Sequence, residues 1–336
     1  MNGLKSCMLS ICAVVLILGG LPFNSFAQPT IRVLLVDTKN ARIPQKDEKV
    51  EQIGTAKGEV ILSGVKYYGD LQVWKGEKGI YVISEIALED YVKGVVAAEV
   101  GGSWEIEALK AQAVASRTYA LYQRLIAVTS NMRYHLTSNV MHQAYKPGNI
   151  SPNIVKAVEE TKGQVLMYGG SPIVAFYHST SVGMTEDPVD VFGKTFPYLK
   201  SVETNCKLSP YYLWVKRIPA AGIEKALDVP GLKDIVIDSY TASNRVRVFK
   251  LITETGEVEV SGYDFRKNMG WDELPSTMIT DITKDGDIYI FDGKGYGHGV
   301  GMCQWSALEM AKDGKSYKDI LSTFYPGAAI EVYEDR

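Results

Sequence analysis

The hydrophobic period of this chain changes from two to nearly four at residue 87, and that change excludes most folds. Before it, "IRVLLV", "GEVILSG", "LQVWKG" and "GIYVISEI" are β-branched runs separated by Gly, Lys and Asp turn signals, the pattern of short strands. After it, "ALEDYVKGVVAAEV" places Leu88, Tyr91, Val92, Val95, Val96 and Val100 on one helical stripe. Glu89 and Asp90 suit its positive end, and Gly101-Gly102 stops it. A second helix, "EIEALKAQAVASRTYALYQRL", is opened by Ser103, Glu105 and Glu107 and carries enough alanine for a neighbouring backbone to come close. Further on the sequence predicts a capped helix in "SPNIVKAVEETKG" and a hairpin in "QVLMYGGSPIVAFYHST" that turns at Gly169-Gly170. Strands follow in "RVRVFKLITETGEVEVSG" and "DIYIFDGKGYG", with a short helix at 264–269 and two closing helices within "CQWSALEMAKDG" and "SYKDILSTFY". No βαβα alternation is sustained, so the fold class is α+β. It has mixed, mainly antiparallel strands, a central pair of helices and two C-terminal helices.

The chain opens "MNGLKSCMLSICAVVLILGGLPFNSFA", a single Lys followed by an apolar run and small residues at Ser25 and Ala27. This is a secretory signal cut after Ala27, or alternatively an uncleaved membrane tether through residues 8–21. The expected location is extracytoplasmic, periplasm or cell-wall side. The expected divisions are the signal at 1–27, a β-rich subregion at 28–80 and one core at 81–336. A net charge of −3 supplies no basic field, so no nucleic-acid partner is expected. Beyond the signal only Cys206 and Cys303 remain, as one disulfide or as two separate thiols. His135 and His142 lie seven apart rather than four and read as ordinary polar histidines near a surface loop; no metal and no cofactor are expected.

One residue breaks the helical stripe. Glu99 lies seven after Val92, four after Val95 and three after Val96, on the apolar face. A carboxylate there must be paired, hydrogen-bonded or protonated, and desolvation raises its pKa toward the range of a general acid. The structural alternative pairs it with Arg117 or Lys110 of the next helix. On that helix Gln112, Ser116 and Tyr119 fall on one side beside Arg117, a polar row that lines a cleft or faces solvent.

Three later segments add polar groups. "AFYHSTSVGMTED" ends an apolar strand with His178, Ser179 and Ser181 and runs into Glu186 and Asp187; "HQAY" holds Gln143; "GKGYGHGVGMCQW" sets His298 among alternate glycines, before Gln304. The glycine run lacks a GK[ST] and a βαβ setting, so it is not a phosphate cradle but a turn that contacts core or sugar. No GxSxG elbow accompanies Ser179 and His178, which argues against a serine hydrolase.

These segments, "LEDYVKGVVAAEV", "EALKAQAVASRTYAL", "FYHSTSVGMTED", "PYLKSV" and "GKGYGHGVGMCQWSALEMAKDGKSYKDILSTFYPGA", resemble in order those of the SpoIID/LytB family, named for sporulation stage II protein D. The resemblance covers roughly residues 83–332. It implies a peptidoglycan lytic transglycosylase that cleaves the β-1,4 bond between N-acetylmuramic acid and N-acetylglucosamine of glycan strands stripped of stem peptides, and leaves a 1,6-anhydro end. Glu99 falls at the family's catalytic glutamate, and Arg117, His178, Ser179, His298 and Gln304 fall at cleft positions. With Gln112, Ser116, Tyr119, Gln143 and Ser181 they make up the expected substrate-binding set. Sporulation members can carry zinc on Cys and His near the segment reading "YHLTSNVMHQAYKP" here; this chain has the histidines but no Cys, so no metal is carried over. The family's Ser-Gly-Gly turn reads "SVGM", and Cys303 stands where Ser is common, which keeps a disulfide to Cys206 open. Two other readings compete. The family also covers enhancers of cell-wall amidases, which bind glycan and stimulate a partner without cleaving it. A hydrolase would need a second carboxylate, for which Glu186, Asp187 or Asp190 are available, though as loop acids they read as solvated.

Overall fold

The structure, a computed structural model, describes residues 29–35, 49–62, 65–77, 79–139, 142–148 and 150–335. The expected signal at 1–27, with its tether at 8–21, lies outside them.

The N-terminal runs form one five-stranded sheet. Val50–Leu62, Val65–Gly76, Gly79–Ala87 and Thr30–Leu35 pair antiparallel in that order, and Leu136–Thr137 adds to Thr30–Leu35 in parallel. The described part of "GEVILSG", residues 58–62, is not a strand of its own but the end of a 13-residue strand, because its predicted turn signal, Gly58, stays in the ladder opposite Gly69. The sheet also runs past the expected boundary at residue 80: Gly79–Ala87 leads straight into helix α1, Leu88–Glu99.

Helix α2, Ile106–Thr129, packs against α1 and against α3, Pro152–Glu160. Its Ala108, Ala111, Ala113, Ala115 and Ala120 are all buried, the close approach that the composition foretold. Its N-cap is Glu105, without a side-chain bond, so Ser103 does not open it as predicted. On α3, Ser151 caps the helix by accepting from the Ile154 N–H at 3.4 Å.

Gln164–Tyr168 turns back at Gly169-Gly170 as expected, but "IVAFYH" leaves the ladder after Pro172. The Phe176 N–H bonds the Val174 carbonyl at 2.8 Å, and the Tyr325 hydroxyl donates to the Phe176 carbonyl at 2.8 Å. The Phe176 carbonyl also accepts the Met302 N–H at 3.1 Å, which starts the next pairing. Only Tyr177–His178 pairs again, in parallel with Met302–Cys303.

The remaining helices are α4 (Pro188–Phe192), α5 (Ala220–Leu227), α6 (Gly262–Met269), α7 (Gln304–Lys312) and α8 (Tyr317–Phe324). Two hydrophobic clusters dominate. The larger joins the N-terminal sheet to α1, α2, α3, α7 and α8. The second is built on Trp214, Ile223, Phe249, Phe265 and Phe291, from strands within residues 214–293 and helices α5 and α6. The expected core at 81–336 therefore contains a second hydrophobic centre that strand periodicity alone did not reveal. The α+β class holds, with mainly antiparallel strands, α1 and α2 as the central pair and α7 and α8 at the C-terminal end.

Candidate active site

Glu99 is the last residue of α1, and Gly101 follows in a left-handed conformation, φ 73°, that turns the chain away. The carboxylate is thereby left at a helix end, half-buried. Its Oε1 accepts the Ala144 N–H at 2.9 Å, and its Oε2 accepts the Gln304 side-chain amide at 3.3 Å. The Tyr177 hydroxyl also hydrogen-bonds it. None of these partners is charged. Burial pushes the Glu99 carboxyl above its ordinary value of 4.5, and the three hydrogen bonds oppose that shift without cancelling it.

A polar network extends from this carboxylate into the protein. The Gln304 amide also donates to Gln112 Oε1 at 3.3 Å, and Gln112 donates to Ser116 Oγ at 3.0 Å. Gln143 donates to the Ser116 carbonyl and to the Tyr177 hydroxyl, and accepts from the Tyr91 hydroxyl at 3.1 Å. Burial raises both the Tyr91 and Tyr177 hydroxyls well above 10.0, so they remain neutral donors. The arrangement holds one carboxylic group in fixed orientation among neutral dipoles, which suits proton delivery and return.

Neither cation proposed as a structural partner reaches Glu99. Arg117 is fully buried and forks onto Glu89, with Nε–Oε1 at 3.0 Å and Nη2–Oε2 at 2.6 Å, while its Nη1 donates to the Gln164 carbonyl. It clamps α1 to α2 and lines no cleft, which corrects its placement in the substrate-binding set. Lys110 pairs with Glu107 and Glu160, each at 2.8 Å. Tyr119 packs on Phe176, ring centroids 6.1 Å apart, and does not join the network.

The other expected cleft residues form a second cluster. Tyr177 and His178 are neighbours on one short strand, so their side chains leave it in opposite directions. Tyr177 turns to Gln143 and Glu99; His178 turns to Ser181 Oγ at 2.5 Å, and its Nδ1 donates to the Val300 carbonyl at 3.1 Å. The Arg245 guanidinium donates to that same Ser181 Oγ at 2.8 Å. The His298 ring lies 5.6 Å from that of His178, and its Nδ1 accepts the Val300 N–H at 3.0 Å. Burial holds His178 well below its ordinary value and His298 down to about 3, so both are neutral. Ser179 is half-buried, its hydroxyl 3.1 Å from that of Thr180. The structure thus brings Gln112, Ser116, Gln143 and Gln304 to Glu99 and gathers His178, Ser181 and His298 elsewhere.

Two further expectations change. Glu186 is buried, accepting from the hydroxyls of Thr241 and Ser243 at 2.7 and 2.8 Å, rather than solvated. His135 is buried beneath Arg32, whose N–H it accepts at 3.1 Å, and is not a surface-loop histidine; His142 is half-buried in a turn and bonds Thr137. The glycine run contacts core: a Cβ on Gly301 would lie 2.0 Å from the Phe176 carbonyl oxygen, and one on Gly297 2.9 Å from His178 Cβ. Cys206 and Cys303 are both buried, with their sulfurs side by side at 2.9 Å. Sequence reasoning missed Tyr91 and Tyr177. Tyr177 was detectable as the residue preceding His178, on the opposite face of a strand, but Tyr91 read as ordinary core.

The family model described as "Stage II sporulation protein" matches residues 76–168, the stretch that carries Glu99, Gln112, Ser116 and Gln143. Stage II sporulation protein D of Bacillus subtilis is 33% identical over 265 residues, 74% of this chain and 75% of that protein. An uncharacterised protein of Brachyspira hyodysenteriae is 31% identical over 302 residues, 85% of this chain and 80% of its own length. The amidase enhancer of Bacillus subtilis is 30% identical over 295 residues, 72% of this chain but only 40% of the enhancer. With similarity running through the Glu99 helix and across three quarters of stage II sporulation protein D, the chain belongs to the SpoIID family.

Proposed function

We propose that this protein acts on the bacterial cell wall as a lytic transglycosylase, exported by its N-terminal segment to the extracytoplasmic side. One observation carries the reading: Glu99 is a desolvated carboxyl at a helix end, and among the described residues its hydrogen-bond donors are all neutral and no cation pairs with it. In the neutral form it protonates the glycosidic oxygen between N-acetylmuramic acid and N-acetylglucosamine as that bond breaks. As the carboxylate it then takes the proton of the sugar's own 6-hydroxyl while that oxygen bonds the anomeric carbon. The proton returns to Glu99, no water is consumed, and the product ends in a 1,6-anhydro ring. One carboxyl suffices, unlike the paired carboxyls of most glycosidases. Gln304, Ala144 and Tyr177 orient it, which is the kind of preorganisation such a step requires.

Mass spectrometry of glycan strands, intact or stripped of stem peptides, digested by the mature protein tests this. Anhydro-ended fragments are expected from wild type, and Glu99→Gln is expected to lose roughly 10²–10⁴-fold in rate. Products one water heavier would point to hydrolysis. The relative named amidase enhancer motivates a second reading, a glycan-binding partner of an amidase. Retained glycan binding and amidase stimulation with no cleavage by wild type would favour it.

A further inference from the structure

A cavity of about 340 Å³ opens between α4, α6 and the His298 loop. Neither Glu99 nor any of its hydrogen-bonding partners lines it. Its walls hold two buried arginines: Arg245, just before strand Val246–Thr253, and Arg266 on α6, which follows that strand's antiparallel partner Gly256–Ser261. Every acceptor of both is uncharged. Arg245 donates from Nη1 to the Met184 carbonyl and Ser243 Oγ, and from Nη2 to Ser181 Oγ. Arg266 donates to the carbonyls of Leu274, Trp271 and Pro275. Among the described residues, Arg245 Nε is one of two buried side-chain polar atoms with no hydrogen-bond partner.

The acids on the same walls do not answer these charges directly. Glu186 is occupied by Thr241, Ser243 and the Asp187 N–H; Asp190 pairs with Arg247 at 2.9 Å; Asp264 accepts from Ser261. Ser243 bridges Arg245 to Glu186, whose charge partly offsets the cost of burying that guanidinium, but neither arginine touches a carboxylate; burial lowers Arg245 below its ordinary value and Arg266 to about 10. An incoming anion would offset that cost. The guanidinium fork matches a planar carboxylate, and the three acids nearby disfavour a second negative charge, which weighs against phosphate.

We propose that this cavity is a carboxylate-binding site, with Arg245 and Arg266 as its cationic walls. The carboxylate is that of a small free acid or of a sugar acid within a glycan. The inference does not depend on the chemistry assigned to Glu99.

The test uses the full mature chain carrying Glu99→Gln, so that binding is read without turnover. Its amide NMR spectrum is followed during titration with D-lactate, N-acetylmuramic acid, N-acetylglucosamine and inorganic phosphate. Saturable shifts of the Gly297, Thr277 and Arg247 amides are expected with the two carboxylates and not with N-acetylglucosamine. Tighter binding of N-acetylmuramic acid than of D-lactate assigns the site to glycan; equal binding assigns it to free acids. Arg266→Gln, which keeps donors but not charge, is expected to weaken binding by about tenfold, the loss of one charge-assisted contact. The proposal is overturned if neither carboxylate gives saturable shifts, if N-acetylglucosamine binds equally, if phosphate binds more tightly, or if the shifts fall around Gln112 and Gln143 instead. The wild-type cavity amides decide these outcomes even where Arg266→Gln does not fold.

Discussion

At the scale of single residues, Glu99 was legible because helical spacing is local: three offsets along one helix put a carboxyl on an apolar stripe. Its partners were not legible, since Ala144 and Gln304 are 45 and 205 residues away. Burial lifts its folded pKa above 4.5, which has a definite sign. The folded state binds this proton more tightly than the unfolded chain does, so the glutamate's contribution to stability is full below 4.5 and is lost as pH rises through the higher folded value. Glu99→Gln should therefore match wild type in melting temperature at low pH and exceed it above the folded pKa. Melting curves across that range that stay parallel would contradict the assignment. If Glu99 acts as a general acid, the alkaline limb of the kcat/KM profile should also have an apparent pKa above 4.5.

At the scale of elements, α1 was legible from period, acidic first turn and terminal glycine, and α2 from its Ala- and Leu-rich run, though it starts after Glu105 rather than at Ser103 and runs on to Thr129. What joins them was read wrongly. Arg117 sits beside Ser116 in a polar row and invited a cleft role, but its partner Glu89 is 28 residues back, and Glu89 also accepts the Gly163 N–H at 3.2 Å. Arg117→Met strands a buried carboxylate and should cost about 3–5 kcal/mol in urea unfolding, whereas adding Glu89→Leu should recover much of the loss. The glycine run shows the same divide. Gly301 has φ 73°, and its Cβ position is taken up by the Phe176 carbonyl. Gly301→Ala should cost upwards of about 1–2 kcal/mol from backbone strain alone, before the clash, as a lower denaturation midpoint at unchanged slope.

At the scale of the whole molecule, all four histidines of the chain are held below their ordinary 6.5, chiefly by burial: His135 to about 4, His298 to about 3, and His142 and His178 in the same direction. The folded state binds these protons less tightly than the unfolded chain does. Their contribution to stability is thus full above 6.5 and is lost as pH falls from there toward about 3. Imidazole NMR shifts should stay flat from pH 8 to well below 6.5, and melting temperatures should fall across the acid range. The sequence by itself determined the α+β class, the helix pair, the closing helices and the position of Glu99, because hydrophobic period, caps and turn residues act over a few neighbouring positions. Tertiary structure alone decided that Arg117 clamps rather than binds, that Tyr177 and His178 serve opposite faces, and that residues 214–293 enclose a second core beside a cavity with two buried arginines. Those outcomes rest on contacts between residues far apart in the chain, where burial and pairing are set by packing and leave no periodic trace in the sequence.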